Sequence, residues 1–197
     1  MPTPGTILTA LVLLALLSGC GSERTTVAND EPAPPLELEQ LAGGRIALEE
    51  FRGRVVALRF WADWCPFCRS EMRELEPMYQ QLRERGLEIL AVNVGQDRSR
   101  VERFVDSVGY SYPTLLDPDS TIARRYGVIA IPVTFFIDHE GIVRGRILGE
   151  SDAATFERLA VPLLTESESN AVPASSAGRQ SGHEEPGPTL VGEGERP

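Results

Sequence analysis

The feature that most restricts what this chain can fold into is an apolar run, VVALRFW from Val55 to Trp61, that leads within four residues into the cysteine pair Cys65 and Cys68. A run without alternating polar positions suits a strand buried on both faces of a sheet. Beyond the pair, Cys68, Met72, Leu75, Tyr79 and Leu82 recur at three or four residues, the spacing of a helix with one inward stripe. The pattern predicts a helix from Pro66 to Arg85 ended by Gly86. The rest of the chain keeps the same alternation. LELEQLAGGRIAL predicts two short strands joined across Gly43-Gly44, and EILAVNV predicts another strand. A capping box, Ser99 to Glu102, opens a helix that stops near Gly109. A short helix around Ser120 to Tyr126, the strand VTFFI, a turn from Asp138 to Gly141, the strand IVRGRIL and a helix from Asp152 to about Leu164 follow. This order predicts an α/β fold with a central, mainly parallel sheet covered on both faces and made mixed by the antiparallel pair at the DHEG turn.

Both ends of the chain read differently. Residues 1–20 are apolar from Ile7 to Leu17 and then turn small, too short a run to span a bilayer comfortably and suited to a signal peptide. Leu17-Ser18-Gly19-Cys20 is similar to a bacterial lipobox, in which Cys20 would receive lipid; no Arg or Lys precedes the run, unlike the usual start of such signals. An ordinary secretion signal or an uncleaved anchor is the alternative, and each version places the rest outside the cytoplasm. Residues 21–35 are polar and proline-bearing, and read as a flexible tether. Residues 165–197 are rich in Ser, Glu, Gly and Pro and read as a disordered acidic tail. One domain remains, residues 36–164, of ordinary single-domain size.

Charge and residue counts remove several function classes. The net charge is −10, but the tail and the tether carry more than half of it. The domain keeps about −4, which gives no basic face for nucleic acid. The 19 basic residues are all arginines, so Schiff-base chemistry and lysine-dependent phosphate loops are excluded. His139 in the DHEG turn and His183 in the tail are peripheral, so neither a cysteine–histidine dyad nor a histidine-rich metal site is expected. With Cys20 assigned to lipid, Cys65 and Cys68 stand alone, and no second pair exists to staple the domain.

Two cysteines three positions apart at a helix start are suited to a reversible disulfide. Cys65 is expected at the N-cap, with Pro66 at the first helical position, where a missing N–H costs nothing. The helix terminus there favours thiolate on Cys65. Cys68, one turn in, faces the core stripe and is expected to be less accessible. Cys65 would therefore attack a substrate disulfide and Cys68 would resolve the mixed disulfide. Three other readings compete: half of a zinc site, which lacks two more well-placed ligands; a structural disulfide, whose small loop gives little chain-entropy stabilisation; and an inactive copy of a redox fold.

WADWCPFC before a helix, followed much later by IPVTFFIDHEG, resembles the thioredoxin superfamily, and within it the membrane-tethered TlpA/ResA-like thiol–disulfide oxidoreductases. The resemblance covers nearly the whole domain, including the leading hairpin, Phe51-Arg52-Gly53, and LEILAVNVGQDRSRVERFV as a strand-and-helix insertion. It implies a thioredoxin-like fold, no cofactor and a cis Ile131–Pro132 bond. Pro132 would lie against the cysteines and leave the Ile131 backbone free to pair with an extended substrate segment. Trp61 and Trp64 match aromatic residues that bracket such sites, packing being the alternative for Trp61. Trp64, Pro66, Phe67 and Ile131 would contact substrate. Glu71 matches a glutamate linked to proton traffic at the buried cysteine; a solvent-facing helix residue is the alternative.

Two positions depart from the family pattern. Thioredoxin carries a buried acid six residues before the first cysteine, where this chain has Arg59. A buried arginine needs a partner, and the expectation is that Arg59 points toward Glu71 and holds it as a carboxylate; a strand-end arginine reaching solvent is the alternative. Between the cysteines, Pro66 comes first and Phe67 second. Phe67 offers no donor to the Cys65 sulfur, which leans toward a reductant.

The expectation is then a lipid-anchored, extracytoplasmic reductant of disulfide-bearing proteins, apocytochrome c among its implied clients. It would act as a monomer and be re-reduced by a membrane electron donor. The rivals are a disulfide oxidant, a thiol peroxidase, whose threonine and proline positions are here Ala62 and Leu58, and a metal-delivery or docking module, whose wider cysteine spacing and nearby histidine are absent.

Overall fold

A computed structural model describes residues 27–171. Along them run β1 (Glu37–Gln40), β2 (Arg45–Ala47), β3 (Val55–Trp61), α1 (Cys68–Leu82), β4 (Leu87–Val94), α2 (Arg98–Val108), β5 (Thr114–Asp117), α3 (Thr121–Arg125), β6 (Val133–Ile137), β7 (Val143–Leu148) and α4 (Ala153–Ala171). The seven strands form one sheet in the order β2-β1-β5-β4-β3-β6-β7. β4 is the middle strand, and β3 lies beside it between β4 and β6, flanked on both edges as its unbroken burial requires.

The sheet is mixed rather than mainly parallel. β4 runs parallel to β3 and to β5, while the β1–β2, β1–β5, β3–β6 and β6–β7 pairings are antiparallel. Helix α3 explains the difference. Five residues of helix rise only about 7.5 Å, too little to carry the chain back along the sheet. β6 therefore starts at the end where β5 finished and descends beside β3.

Alternate β3 side chains divide the core in two. Val55, Ala57 and Trp61 face α1, α2 and α4, where they meet Met72, Leu75, Phe104, Phe156 and Leu164. Val56, Leu58 and Phe60 face α3 and the N-terminal segment, where they meet Val27, Leu36, Ile122 and Tyr126. Each face of the sheet is thus covered by a separate apolar layer, the arrangement that buried strands need.

Four boundaries move. The predicted capping box at Ser99 is replaced by Asp97, whose carboxylate accepts the Arg100 N–H at 3.0 Å, while Ser99 Oγ donates to the same carboxylate. α4 continues past Leu164 to Ala171. The tether expected over residues 21–35 is in part a piece of the domain: Val27 is buried, Asp30 N donates to Val143 O at 2.7 Å, and Val143 N donates to Glu31 O at 2.9 Å. The N-terminal segment covers the edge of β7, whose backbone groups would otherwise lack partners. α1 begins at Cys68 rather than Pro66. The expected signal peptide with Cys20, residues 21–26 and residues 172–197 lie outside the described residues.

Candidate active site

The site is built where β3 ends. Phe60 of β3 pairs with Val133 of β6, which pairs with Leu148 of β7, so three strand ends lie in one row across the sheet. Beyond that row the chain leaves β3 through Ala62, Asp63 and Trp64 and reaches Cys65. Pro66 and Phe67 are taken up by a turn closed by Cys68 N donating to Cys65 O at 3.3 Å, and the first α-helical bond runs from Glu71 N to Phe67 O. Phe67 is therefore the N-cap and Cys68 the first helical residue; the expected N-cap at Cys65 lies three residues early. The four-residue turn uses up the positions that a Pro66 helix start would need.

Cys65 and Cys68 are joined in a disulfide, with Cα atoms 5.5 Å apart. Their exposures are 2% and 0%, so burial itself separates the two sulfurs very little. Their surroundings differ more. Both sulfurs belong to one apolar cluster, but Cys65 is flanked in the chain by the exposed Trp64, Pro66 and Phe67, with Trp64 64% and Phe67 45% exposed, whereas Cys68 lies on the inward stripe of α1. Trp61 is fully buried and packs on Phe104 of α2 at 4.5 Å between ring centroids. Its part is in the core, beneath the loop that carries Trp64.

The second motif arrives from β6. The Ile131–Pro132 bond is cis, Pro132 is buried, Ile131 is partly buried, and the preceding Ile129 is exposed. Pro132 O accepts the Gly149 N–H at 2.9 Å. Two residues on, Ser151 N donates to Glu71 Oε1 at 2.5 Å. The cis-proline loop and the cysteine helix are thereby held at one end of the sheet through the β7–α4 connection.

Arg59 and Glu71 meet. Arg59 is 0% exposed and Glu71 3%. One guanidinium nitrogen of Arg59 pairs with Glu71 Oε2, the other terminal nitrogen donates to Thr134 Oγ1 of β6 at 3.0 Å, and Nε is buried without a partner. Both alternatives, a strand-end arginine in solvent and an outward-facing Glu71, are excluded by this burial.

A second polar cluster went unread in the sequence. Gln96 Oε1 accepts the Asp63 backbone N–H and the Asn93 side-chain amide, each at 2.9 Å, and Gln96 Nε2 donates to Asp63 Oδ1 at 2.5 Å. Arg100 Nε donates to Asp63 Oδ2 at 2.5 Å. Burial alone would raise the Asp63 pKa, but the bonds from Arg100 and Gln96 outweigh it and hold the carboxyl below its usual value. The cluster fixes the loop between Trp61 and Cys65. Its one sequence signal is that Asn93 interrupts the apolar run near the end of β4 and Gln96 follows two residues past it, at the strand end where parallel sheets carry their sites. Among the described residues, no group of three or more His, Cys, Asp or Glu side chains could hold a metal ion, and no helix is long and apolar enough to cross a membrane.

The comparisons with known proteins agree with this geometry. The AhpC/TSA family model matches residues 30–146. A thiol-disulfide oxidoreductase ResA from Geobacillus thermodenitrificans is 36% identical over 151 residues, covering 73% of this chain and 87% of the relative. The ResA of Bacillus subtilis is 34% identical over 140 residues, covering 67% of this chain and 78% of the relative. Among solved structures, a putative thiol:disulfide interchange protein DsbE from Chlorobium tepidum superposes with a TM-score of 0.67 at 28% identity, covering 71% of this chain and 99% of the other. A secreted thiol-disulfide isomerase from Corynebacterium glutamicum gives 0.62 at 29% identity, covering 67% and 84%.

Proposed function

We propose, from the premise that this chain belongs to the AhpC/TSA family and within it to the ResA-like thiol–disulfide oxidoreductases, that it works as a reductant of disulfides in extracytoplasmic proteins. The observation that carries the proposal is the Cys65–Cys68 disulfide at the end of β3, with exposed Trp64, Pro66 and Phe67 around it and cis Pro132 at the same end of the sheet.

In the reduced protein, Cys65 as thiolate attacks one sulfur of a client disulfide. A Cys65–client bond forms, the client S–S bond breaks, and the second client sulfur leaves as thiolate. Cys68 gives up its proton and attacks Cys65, closing the intramolecular disulfide and releasing the first client sulfur. Two electrons pass to the client and the oxidised state remains. The assignment of Cys65 as attacker rests on its place outside the helix among exposed side chains, and that of Cys68 as resolver on its place in the apolar stripe. Glu71, one turn from Cys68, takes part in proton transfer at that sulfur. Ile131 and Pro132 receive an extended client segment, aided by the apolar rim of Trp64, Phe67, Ile129 and Leu148.

The site is extracytoplasmic in this reading, supported by the leader sequence and by the likeness to a protein described as secreted. Cys20 is the lipid-bearing residue. The monomer is re-reduced by a dithiol donor at the membrane, and apocytochrome c, with its paired cysteines, is among the clients. Exchange of Cys68 for alanine tests the mechanism: the variant should accumulate mixed disulfides through Cys65, stable to alkylation and released by reductant. No covalent adduct with any protein would refute it. Peroxidase chemistry is disfavoured by Ala62 and Leu58, which stand where a peroxidase places threonine and proline.

A further inference from the structure

The apolar rim around the cysteines is carried by separate elements. Phe67 stands at the start of α1, Ile129 precedes the cis-proline bond and Leu148 ends β7. Trp64 instead rides on the short turn between β3 and α1, closed by Cys65 N donating to Ala62 O at 3.2 Å. The Cys65 end of this turn is fixed from below, because both cysteines lie in the apolar cluster. The Asp63–Trp64 end has no such cover, and Trp64 is exposed. What holds that end is Gln96, from the connection between β4 and α2. Its Oε1 accepts the Asp63 N–H at 2.9 Å, and its Nε2 donates to Asp63 Oδ1 at 2.5 Å. A backbone N–H can only donate, so it dictates which end of the Gln96 amide faces it. The Asn93 amide, donating to the same oxygen at 2.9 Å, keeps it there, and Arg100 Nε holds Asp63 Oδ2 at 2.5 Å. Stability alone does not call for this arrangement. Asn93 is 1% exposed, and its own Oδ1 is buried without a partner. An apolar side chain at the end of β4 would avoid that cost. A cost retained at the mouth of a site marks a functional constraint.

We propose that Gln96, assisted by Arg100, is a positioning residue that sets specificity: it pre-orders the Asp63–Trp64 half of the turn, so that Trp64 is in place to receive the polypeptide around a client disulfide. Protein disulfides are thereby favoured over small ones. The chemistry is the same for both. Cys65 bonds to one substrate sulfur as the substrate S–S bond breaks, and Cys68 then closes the protein disulfide and releases that sulfur. Two electrons pass to the substrate, and the two thiol protons end on its sulfurs or in solvent. The difference lies in what surrounds the exchange. A polypeptide that packs on an already ordered Trp64 spends no affinity on ordering the turn. A small disulfide reaches Cys65 without leaning on Trp64 and gains nothing from it. The inference rests on the reading that Cys65 exchanges with client disulfides while Trp64 contacts the client chain.

The test gives the reduced full chain two substrates, a short synthetic peptide closed by a Cys-x-x-Cys disulfide and bis(2-hydroxyethyl) disulfide. Second-order rates are read from the loss of protein thiols, by acid quenching and alkylation. The ratio of the peptide rate to the small-disulfide rate cancels any change in cysteine reactivity common to both. Gln96→Ala should lower this ratio about tenfold or more, and Arg100→Ala about threefold or more. Trp64→Ala should lower it as well. Adding Gln96→Ala to Trp64→Ala should then change the ratio by less than about twofold, because the effect passes through Trp64. A purely structural role would slow both substrates together and leave the ratio within about twofold of the parent. That result, or losses that multiply in the double variant, overturns the proposal. If Gln96→Ala does not fold, Arg100→Ala, alone and combined with Trp64→Ala, decides it by the same criteria. A parent that reduces the small disulfide and never the peptide refutes the client reading and the proposal with it. A parent that reduces the peptide, with a ratio unmoved in the variants, refutes the proposal alone.

Discussion

Replacing Arg59 with methionine should destabilise the oxidised domain by about 3–5 kcal/mol, the cost of stranding a buried charge whose partner has been removed. The structure sets that magnitude. Glu71 is 3% exposed and its Oε2 has Arg59 as its ion-pair partner, so the variant leaves it only the Ser151 N–H on Oε1. Thr134 Oγ1 loses its donor as well. Single domains are stable by about 5–15 kcal/mol, so the loss is a large share of the total yet leaves a folded protein in most of that range. With a urea dependence of about 2 kcal/mol per molar, the unfolding midpoint should fall by roughly 1.5–2.5 M, followed by the fluorescence of Trp61 and Trp64. The double variant Arg59→Met/Glu71→Leu replaces the pair with apolar side chains of similar size, and should recover most of the loss, since such replacements are often neutral or stabilising. The coupling between the two sites should therefore reach at least about 3 kcal/mol. Single losses below about 1 kcal/mol that simply add in the double variant would refute the description of Arg59 and Glu71 as a buried, mutually dependent pair.

Other perturbations probe the frame around the site. Gln96→Ala removes the acceptor of the Asp63 N–H and should cost about 1–3 kcal/mol, with faster amide exchange at Asp63 and Trp64 as the local signature. Desolvation pushes the carboxyls of Asp63 and Asp138 upward, but the bonds from Arg100 and Gln96 to the one, and from the Ile142 N–H and Arg144 to the other, outweigh it and hold both below their ordinary value. The stability these bonds give is present above the unfolded carboxyl pKa, near 3.9, and lost as pH falls through the lower folded values; the urea midpoint should drop steeply below about pH 4, and less so in Asp63→Asn/Asp138→Asn. Gly141 has φ +78°, and a β-carbon there would run into the guanidinium of Arg52. Gly141→Ala should cost about 1–2 kcal/mol from the left-handed backbone, and Arg52→Ala should not rescue it, because the strain lies in φ and not in the movable arginine tip.

What the sequence made legible was whatever depends on local pattern or on a single strong physical demand. Val133–Ile137 forms a strand over the range its apolar run predicted, and the Gly43-Gly44 hairpin pairs as expected. The Arg59–Glu71 contact could be anticipated because a cation in a buried strand must find an anion, and few anions were placed to serve. Local competition defeated other readings. Asp97 and Ser99 can each cap α2, and Asp97 wins because its carboxylate reaches the Arg100 N–H; nothing in SRVE alone settles that contest. Pro66 suits a first helical position, but the Cys65–Cys68 turn takes precedence and starts the helix later. Long-range partnerships were hidden for a different reason. Gln96 meets Asp63 only because β3 and β4 run parallel in a register that pairs Trp61 with Asn93, so their exit loops lie side by side. Composition marked residues 27–35 as tether, yet an exposed edge strand recruits backbone irrespective of side-chain polarity.

The account's central claim, that the Cys65–Cys68 pair passes electrons to client disulfides, is tested most directly by its redox state in living cells. Acid quenching followed by alkylation of free thiols should find the pair predominantly as the dithiol, kept so by the proposed membrane donor and shifted to the disulfide when membrane reductants are removed. A pair found predominantly as the disulfide in growing cells, and unaffected by loss of membrane reductants, would contradict the claim and identify the protein as an oxidant.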